Sequence, residues 1–233
     1  MNLAHWLART AVVDPERPAL FLGTSMVATY GLCWSQARAV AGWRLARGAV
    51  PVDRVAIFMK ICPEYLVAFY GIWCAGAVVV PINAKLHGRE AVYILENAGI
   101  DHVFAAPELA ADLIGAGARA EITVAPGASF EAVLAQAPAP EIASRSADDL
   151  AWLFYTSGTT GKPKGVMITF RMLTAMSLCY TQDVDVVRAE DATLYAAPMS
   201  HGAGIYNMLH VRAGARHVCQ DSGGYDPIEI YEL

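Results

Sequence analysis

The chain has 233 residues, of which 55% are hydrophobic and 17% are charged, with a formal net charge of -5. So few charges among so many apolar residues exclude a disordered protein and predict a packed core. The four lysines and thirteen arginines form no basic stripe, so we expect no nucleic-acid partner.

The amino-terminal segment, MNLAHWLARTAVVDPER, has no basic region followed by an apolar one, so the sequence indicates no signal peptide. The five cysteines include no close pair and no C-x-x-C motif. Dispersed cysteines in odd number favour reduced thiols and therefore a cytoplasmic location.

Short apolar runs alternate with longer amphipathic stretches through the first half of the chain. This alternation predicts an α/β fold of βαβ type, with mainly parallel sheets flanked by helices. The predicted strands are 18–23, 53–60, 78–82, 101–106 and 121–125, and the predicted helices are 34–48, 63–76, 87–98 and 107–118.

The segment from Tyr65 to Ala84 contains twenty residues without a charge, which is long enough to cross a bilayer. Pro81, Asn83 and the β-branched run before them argue against a continuous helix. We therefore interpret the segment as a buried helix followed by a buried strand, and we expect no transmembrane span.

Residues 135–149 are rich in Ala, Pro, Ser and acidic side chains, which is typical of a linker or exposed loop. We therefore expect a first α/β lobe over 1–145 and the start of a second lobe over 146–233. Near the end of the chain, Asp226, Pro227 and Glu229 form a helix-start signal with only four residues after it. Since most helices are longer, we expect the sequence to stop inside an element.

The strongest chemical signal is the segment YTSGTTGKPKG at residues 155–165. Its glycines allow backbone N–H groups to converge, its hydroxyl groups add donors, and its lysines add positive charge, as a polyphosphate site requires. The candidate phosphate-binding residues are Thr156, Ser157, Gly158, Thr159, Thr160, Gly161, Lys162 and Lys164.

This segment does not match the P-loop of common NTPases, which needs G-x-x-x-x-G-K-[ST] before a helix. Pro163 follows the first lysine, and the β-branched run GVMIT comes next. The pattern predicts a strand-loop-strand hairpin. The alternative is an ordinary turn with solvated lysines, although such turns rarely concentrate so many hydroxyls and glycines.

His201 follows a strand-like run and precedes an apolar helix-like run, so it lies where α/β enzymes place ligands. A histidine held only by loop contacts is the alternative interpretation. No H-E-x-x-H or EF-hand pattern is present in the sequence, so we expect no metal held by the protein itself.

The segment YTSGTTGKPKG resembles the phosphate-binding signature of the adenylate-forming superfamily, which includes acyl-CoA synthetases. The segments PERPAL, VVVPINAKL, APMSHGAG and GGYDPIEI are similar to further family motifs in order and spacing. The resemblance implies an incomplete N-terminal domain of an acyl-CoA synthetase. It also implies that His201 acts at the mouth of the acyl pocket, close to the carboxylate and the α-phosphate.

By the same resemblance, a carboxylic acid, ATP with Mg²⁺, and coenzyme A are the expected substrates and cofactors. The residues TSGTTG at 156–161 favour a CoA ligase over an adenylation domain that passes its acyl group to a carrier protein. The family's later motifs would lie beyond Leu233. The chain alone is therefore expected to be a nucleotide-binding module with little turnover, and its uncovered surfaces are expected to make it self-associate as a homo-oligomer.

Overall fold

The computed structural model describes residues 1–156 and 162–233. Its strands are β1 (Pro18–Leu22), β2 (Ser25–Thr29), β3 (Arg54–Phe58), β4 (Val78–Pro81), β5 (His102–Ala105), β6 (Glu121–Val124), β7 (Leu150–Thr156), β8 (Lys164–Thr169), β9 (Ala192–Leu194) and β10 (Arg216–Cys219). Its helices are α1 (Ala4–Val13), α2 (Tyr30–Ala46), α3 (Pro63–Cys74), α4 (Gly88–Ala98), α5 (Pro107–Gly115), α6 (Ala128–Leu134), α7 (Phe170–Asp183), α8 (Gly202–Ile205), α9 (Asn207–Ala213) and α10 (Pro227–Glu232).

The strands form two sheets. The larger has the order β6-β5-β3-β4-β7-β8, and all its neighbours are parallel except β7 and β8. The smaller has the order β2-β1-β10-β9, with β2 antiparallel to β1 and the other pairs parallel. The predicted α/β fold with mainly parallel sheets flanked by helices is confirmed.

Each sheet takes strands from both sides of residue 145. Strands β7 and β8 extend the sheet that β3 to β6 begin, while β9 and β10 pair with the first hairpin of the chain. The division into lobes at residue 145 stays a prediction about chain order, and it does not coincide with the division into sheets.

Helix α3 is the centre of the larger core. Phe69 contacts Trp73 and Trp152 edge-on, with ring centroids 4.3 and 5.3 Å apart, and Trp73 lies 5.6 Å from Phe170. The Trp73 indole N–H also donates to the Ala151 carbonyl at 2.8 Å. These contacts attach β7 firmly to the core. The uncharged segment is thus a buried helix followed by a buried strand, as predicted, and no helix in the described part of the chain has the length and apolar character that a bilayer crossing needs.

The segment 135–149 has no helix or strand, as predicted, but it is not simply an exposed linker. The Ala139 N–H donates to the Arg38 carbonyl at 2.8 Å, and the Ala143 N–H donates to the Cys74 carbonyl at 2.9 Å. Arg145 is only 6% exposed. Most residues of the segment are exposed, as expected for a loop, while Ala139 and Arg145 are buried where the segment contacts α2 and α3.

The helix-start signal at Asp226 is confirmed. Its carboxylate accepts hydrogen bonds from the backbone N–H groups of Ile228 at 2.9 Å and Glu229 at 3.3 Å, and α10 follows.

Candidate functional site

The predicted strand-loop-strand is present as the antiparallel pair of β7 and β8. Thr156 lies opposite Lys164, and Phe154 lies opposite Val166. Of the predicted phosphate-binding residues, Ser157, Gly158, Thr159, Thr160 and Gly161 lie outside the described residues. Thr156, Lys162 and Lys164 flank these residues in the sequence.

His201 is on the same side of this hairpin as Thr156 and Lys164. Residues directly opposite one another in a sheet share a face, and alternate residues along a strand do too, so Phe154, Thr156 and Lys164 point the same way. The imidazole of His201 contacts Phe154 edge-on, with the ring centroids 5.1 Å apart. The fold thus brings into contact Phe154 and His201, which are 47 positions apart in the sequence.

The other face of the hairpin packs on α4. The Tyr155 hydroxyl donates to the Asn97 side-chain oxygen at 2.6 Å, and the Lys162 ammonium lies 5.7 Å from the centre of the Tyr93 ring. Burial raises the pKa of Tyr155, with a further increase from Tyr93, so its hydroxyl keeps its proton. Lys162 and Lys164 therefore extend in different directions, a difference that the sequence motif does not reveal.

The His201 side chain is held by its neighbour. Its Nδ1 is 2.9 Å from the Ser200 hydroxyl, and partial burial lowers its pKa. The imidazole is therefore neutral near pH 7, since its pKa lies below the ordinary value of about 6.5. A neutral imidazole carries one N–H and offers one donor to a substrate oxygen.

The loop that carries His201 is anchored by a buried chain of side chains that the sequence did not reveal. Tyr195 ends the strand region before the loop, and its hydroxyl is 2.8 Å from Nδ1 of His217. Nε2 of His217 is 3.3 Å from the Tyr30 hydroxyl, which donates to the Ala215 carbonyl at 2.6 Å. Pairing of β10 with both β1 and β9 brings these residues together.

The glycines beside His201 differ in their surroundings. A Cβ at Gly204 would overlap the carbonyl oxygen of Met199, whereas a Cβ at Gly202 would have nothing within 4 Å. Gly204 is therefore required for the tight turn of α8 against the loop. Gly202 leaves open space next to the imidazole.

A cleft of about 350 Å³ lies where β3, β4, β9 and β10 end, at the carboxyl edge of both sheets. This is the position at which open α/β sheets bind ligands. Its lining is mostly apolar, with Lys60 and Lys85 among the polar exceptions. The Lys60 ammonium is 2.8 Å from the Glu108 carboxylate. Sequence analysis gave neither lysine a role: Lys60 belongs to no motif, and Lys85 lies in the segment VVVPINAKL without a signal of its own.

Within residues 1–156 and 162–233, no group of three or more His, Cys, Asp or Glu side chains is placed to hold a metal ion. The expected Mg²⁺, brought with ATP, stays a prediction.

Known proteins are similar to this chain over nearly its whole length. A model of the AMP-binding enzyme family matches residues 7–231. A feruloyl-CoA synthase of Amycolatopsis sp is 32% identical over 204 residues, covering 88% of this chain and 40% of that protein. A dimodular nonribosomal peptide synthase of Bacillus subtilis (strain 168) is 29% identical over 173 residues, covering 74% of this chain and 7% of that protein.

Among solved structures, the inhibitor-bound N-terminal domain of FACL13 from Mycobacterium tuberculosis superposes with a TM-score of 0.87 and 28% identity. The match covers 99% of this chain and 59% of that one. The chain thus has the fold of the N-terminal domains of adenylate-forming enzymes, and it spans less than half the length of the feruloyl-CoA synthase.

Proposed function

Because the chain belongs to the AMP-binding enzyme family, we propose that it is the N-terminal part of an acyl-CoA synthetase that acts in the cytoplasm. The observation that carries the proposal is the contact between His201 and Phe154, which sets an imidazole on the same face of the hairpin as Thr156 and Lys164. A phosphate chain held by the hairpin would have its α-phosphate near His201.

In the proposed first step, a carboxylate oxygen attacks the α-phosphorus of ATP. The bond from that phosphorus to the bridging oxygen breaks, pyrophosphate leaves, and an acyl adenylate forms. Negative charge grows on the phosphate oxygens during this step, and preorganised donors lower its barrier. Lys164, the Thr156 hydroxyl and the loop 157–161 are the proposed donors, and the neutral His201 N–H is the proposed donor to the reacting carboxylate.

In the proposed second step, the thiol sulfur of coenzyme A attacks the acyl carbon. The bond to the phosphate oxygen breaks, AMP leaves with its electron pair, and the thiol proton is released to solvent. Mg²⁺ bound with ATP would neutralise part of the phosphate charge.

A second candidate is an adenylation domain that passes the acyl group to a carrier protein. The similarity to a nonribosomal peptide synthase favours this candidate. The two functions share the first step and differ only in the thiol that accepts the acyl group. Transfer to free coenzyme A, compared with transfer to a phosphopantetheinylated carrier protein, separates them.

ATP–pyrophosphate exchange over a panel of carboxylic acids tests the proposal. We expect exchange from a protein that continues past residue 233 to the length of the relatives, and at most slow exchange from this chain. The reason is that phosphate contacts alone supply only part of the transition-state binding. Absence of exchange with every acid in the longer protein contradicts the proposed reaction.

Lysine substitution tests the site itself. Loss of one charge-assisted hydrogen bond costs about 1.5–3 kcal/mol, so Lys164→Ala is expected to slow exchange by roughly 10- to 150-fold. Arg171→Ala is the matched control, because Arg171 is an exposed cation beyond the other end of β8 that pairs with Asp148. Both variants should retain the unfolding midpoint of the parent. Equal exchange rates in the two variants contradict the role of Lys164.

A further inference from the structure

Ser200 precedes His201 in a turn whose backbone is fixed on both sides. The His201 N–H donates to the Pro198 carbonyl at 3.1 Å, and the His201 carbonyl accepts from the N–H groups of Gly204 at 3.0 Å and Ile205 at 3.2 Å. Ser200 is only 3% exposed. The turn thus holds a buried hydroxyl next to a partly exposed imidazole.

Two side chains contact the His201 ring. The Ser200 hydroxyl is 2.9 Å from Nδ1, and the Phe154 ring lies edge-on at 5.1 Å with the two planes at 82°. Nε2 has no hydrogen-bond partner within residues 1–156 and 162–233. Gly202 leaves open space beside the half-buried ring. One ring nitrogen is therefore paired with the protein, and the other is available to a ligand.

The proton of the Ser200 hydroxyl decides the direction of this hydrogen bond. A neutral imidazole donates through one nitrogen and accepts through the other. The contact with Nδ1 is the one hydrogen bond that the Ser200 hydroxyl makes among the described residues. If Ser200 accepted from Nδ1–H, its own proton would be buried without an acceptor, which disfavours that arrangement by roughly 5- to 150-fold. The hydroxyl therefore donates to Nδ1, and the ring carries its proton on Nε2.

This tautomer is the one that suits a carboxylate substrate. The hydrogen bond made by one nitrogen of a histidine determines which nitrogen carries the proton. With the proton on Nδ1, the imidazole would present the lone pair of Nε2 to the carboxylate, and the two would repel. With the proton on Nε2, the ring donates to a carboxylate oxygen.

We propose that Ser200 is a positioning residue for the adenylation step: its hydroxyl donates to Nδ1 of His201 and so keeps the ring proton on Nε2, where it meets the carboxylate of the acid. Ser200 itself acts through the imidazole and does not touch the substrate. This inference rests on the proposed function, since the role of His201 toward the acid belongs to that function.

The tautomer is measured directly by NMR on the ¹⁵N-labelled 233-residue chain at pH 8, where histidine rings are neutral. The ¹⁵N shifts distinguish a protonated from an unprotonated ring nitrogen, and His201→Gln identifies the signals of His201. We expect a proton on Nε2 and none on Nδ1 in the parent, and a mixture of both tautomers in Ser200→Ala. A proton on Nδ1 in the parent, or an unchanged tautomer in Ser200→Ala, overturns the proposal.

ATP–pyrophosphate exchange by the protein that continues past residue 233 provides the second readout. Ser200→Ala is expected to slow exchange by about 2- to 10-fold, the effect of one hydrogen bond between neutral groups. Ser177→Ala is the matched control, because Ser177 is 1% exposed and its hydroxyl donates to the Leu173 carbonyl at 2.9 Å instead of to a histidine. It should exchange like the parent. Equal rates in the two variants overturn the role of Ser200.

The two readouts separate this inference from the function on which it rests. The tautomer of the 233-residue chain needs no turnover, so it decides the role of Ser200 even if the longer parent shows no exchange. Absence of exchange in that parent contradicts the proposed function instead.

Discussion

His217 and His102 are both 1% exposed, and burial lowers the pKa of each to about 3. The hydrogen bonds of His217 also determine its tautomer. The Tyr30 hydroxyl donates to the Ala215 carbonyl, so it accepts from Nε2–H, and Nδ1 then accepts from the Tyr195 hydroxyl. A proton added to Nδ1 would force the Tyr195 hydroxyl to turn from donor to acceptor and would place a charge in the core.

Because of these two buried histidines, we expect the free energy of unfolding to fall at acidic pH. Their folded-state pKa values lie below the unfolded value of about 6.5, so the unfolded chain binds the extra protons between about pH 6.5 and 3. The part of the unfolding free energy that depends on both rings being neutral is fully present above about pH 6.5, and it is lost as the pH falls towards 3. Each group contributes a slope of about 1.4 kcal/mol per pH unit within that window. Urea unfolding at a series of pH values from 7 to 4 measures the slope.

His102→Gln removes one of the two titrating groups, and the slope of its unfolding free energy should be smaller by about 1.4 kcal/mol per pH unit. His5→Gln, at an exposed histidine of α1, is the control and should leave the slope unchanged. A slope in His102→Gln equal to that of the parent would show that His102 titrates normally in the folded chain.

At the scale of elements, α2 and α3 pack closely because a glycine faces the contact. A Cβ at Gly71 would lie 2.5 Å from Cβ of Val40 and 2.8 Å from the Ala37 carbonyl oxygen. This close approach holds α3 in place, and α3 in turn holds β7 through Trp73.

Gly71→Ala is therefore expected to destabilise the fold by about 1–3 kcal/mol, because the added methyl group must push the two helices apart. Gly115→Ala is the matched control in α5, where an added Cβ has nothing within 4 Å. Since alanine is a better helix former than glycine, this variant should gain up to about 1 kcal/mol. Urea unfolding measures both changes, and equal stabilities of the two variants contradict the packing argument.

At the scale of the whole molecule, the larger sheet ends in an open edge. Strand β8 is last in the strand order, and its Val166 and Met167 side chains are 48% and 69% exposed. An apolar edge strand offers backbone hydrogen bonds to another chain. This feature supports the expectation that the isolated chain self-associates.

Light scattering over a range of protein concentrations tests self-association. We expect the apparent mass of the parent to rise with concentration and that of Met167→Lys to rise much less, because a lysine on an edge strand opposes pairing. Val12→Lys on α1 is the control, since Val12 is 78% exposed and lies on a helix instead of an edge strand. A parent chain that remains a monomer at every concentration contradicts the expectation.

Several elements were predictable because their signals are local. The β-branched runs that became β3 to β6, the uncharged segment that became α3 and β4, and the Asp226 cap each depend on neighbouring residues. Helices α1, α6 and α7 and strands β2 and β10 were not predicted. Strand β2 has five residues and α6 has seven, so each is too short for a clear period.

The sequence by itself determined the alternation of strands and helices, the hairpin around residues 157–161, and the family, because periodicity, turn residues and a dense motif are properties of contiguous residues. Only the tertiary structure decided which strands share a sheet, that His201 meets Phe154, that Tyr30 reaches His217, and that Arg44 lies beside His102. Such contacts join residues that are distant along the chain. They form where burial of apolar surface brings whole elements together, and no local sequence pattern predicts which elements will meet.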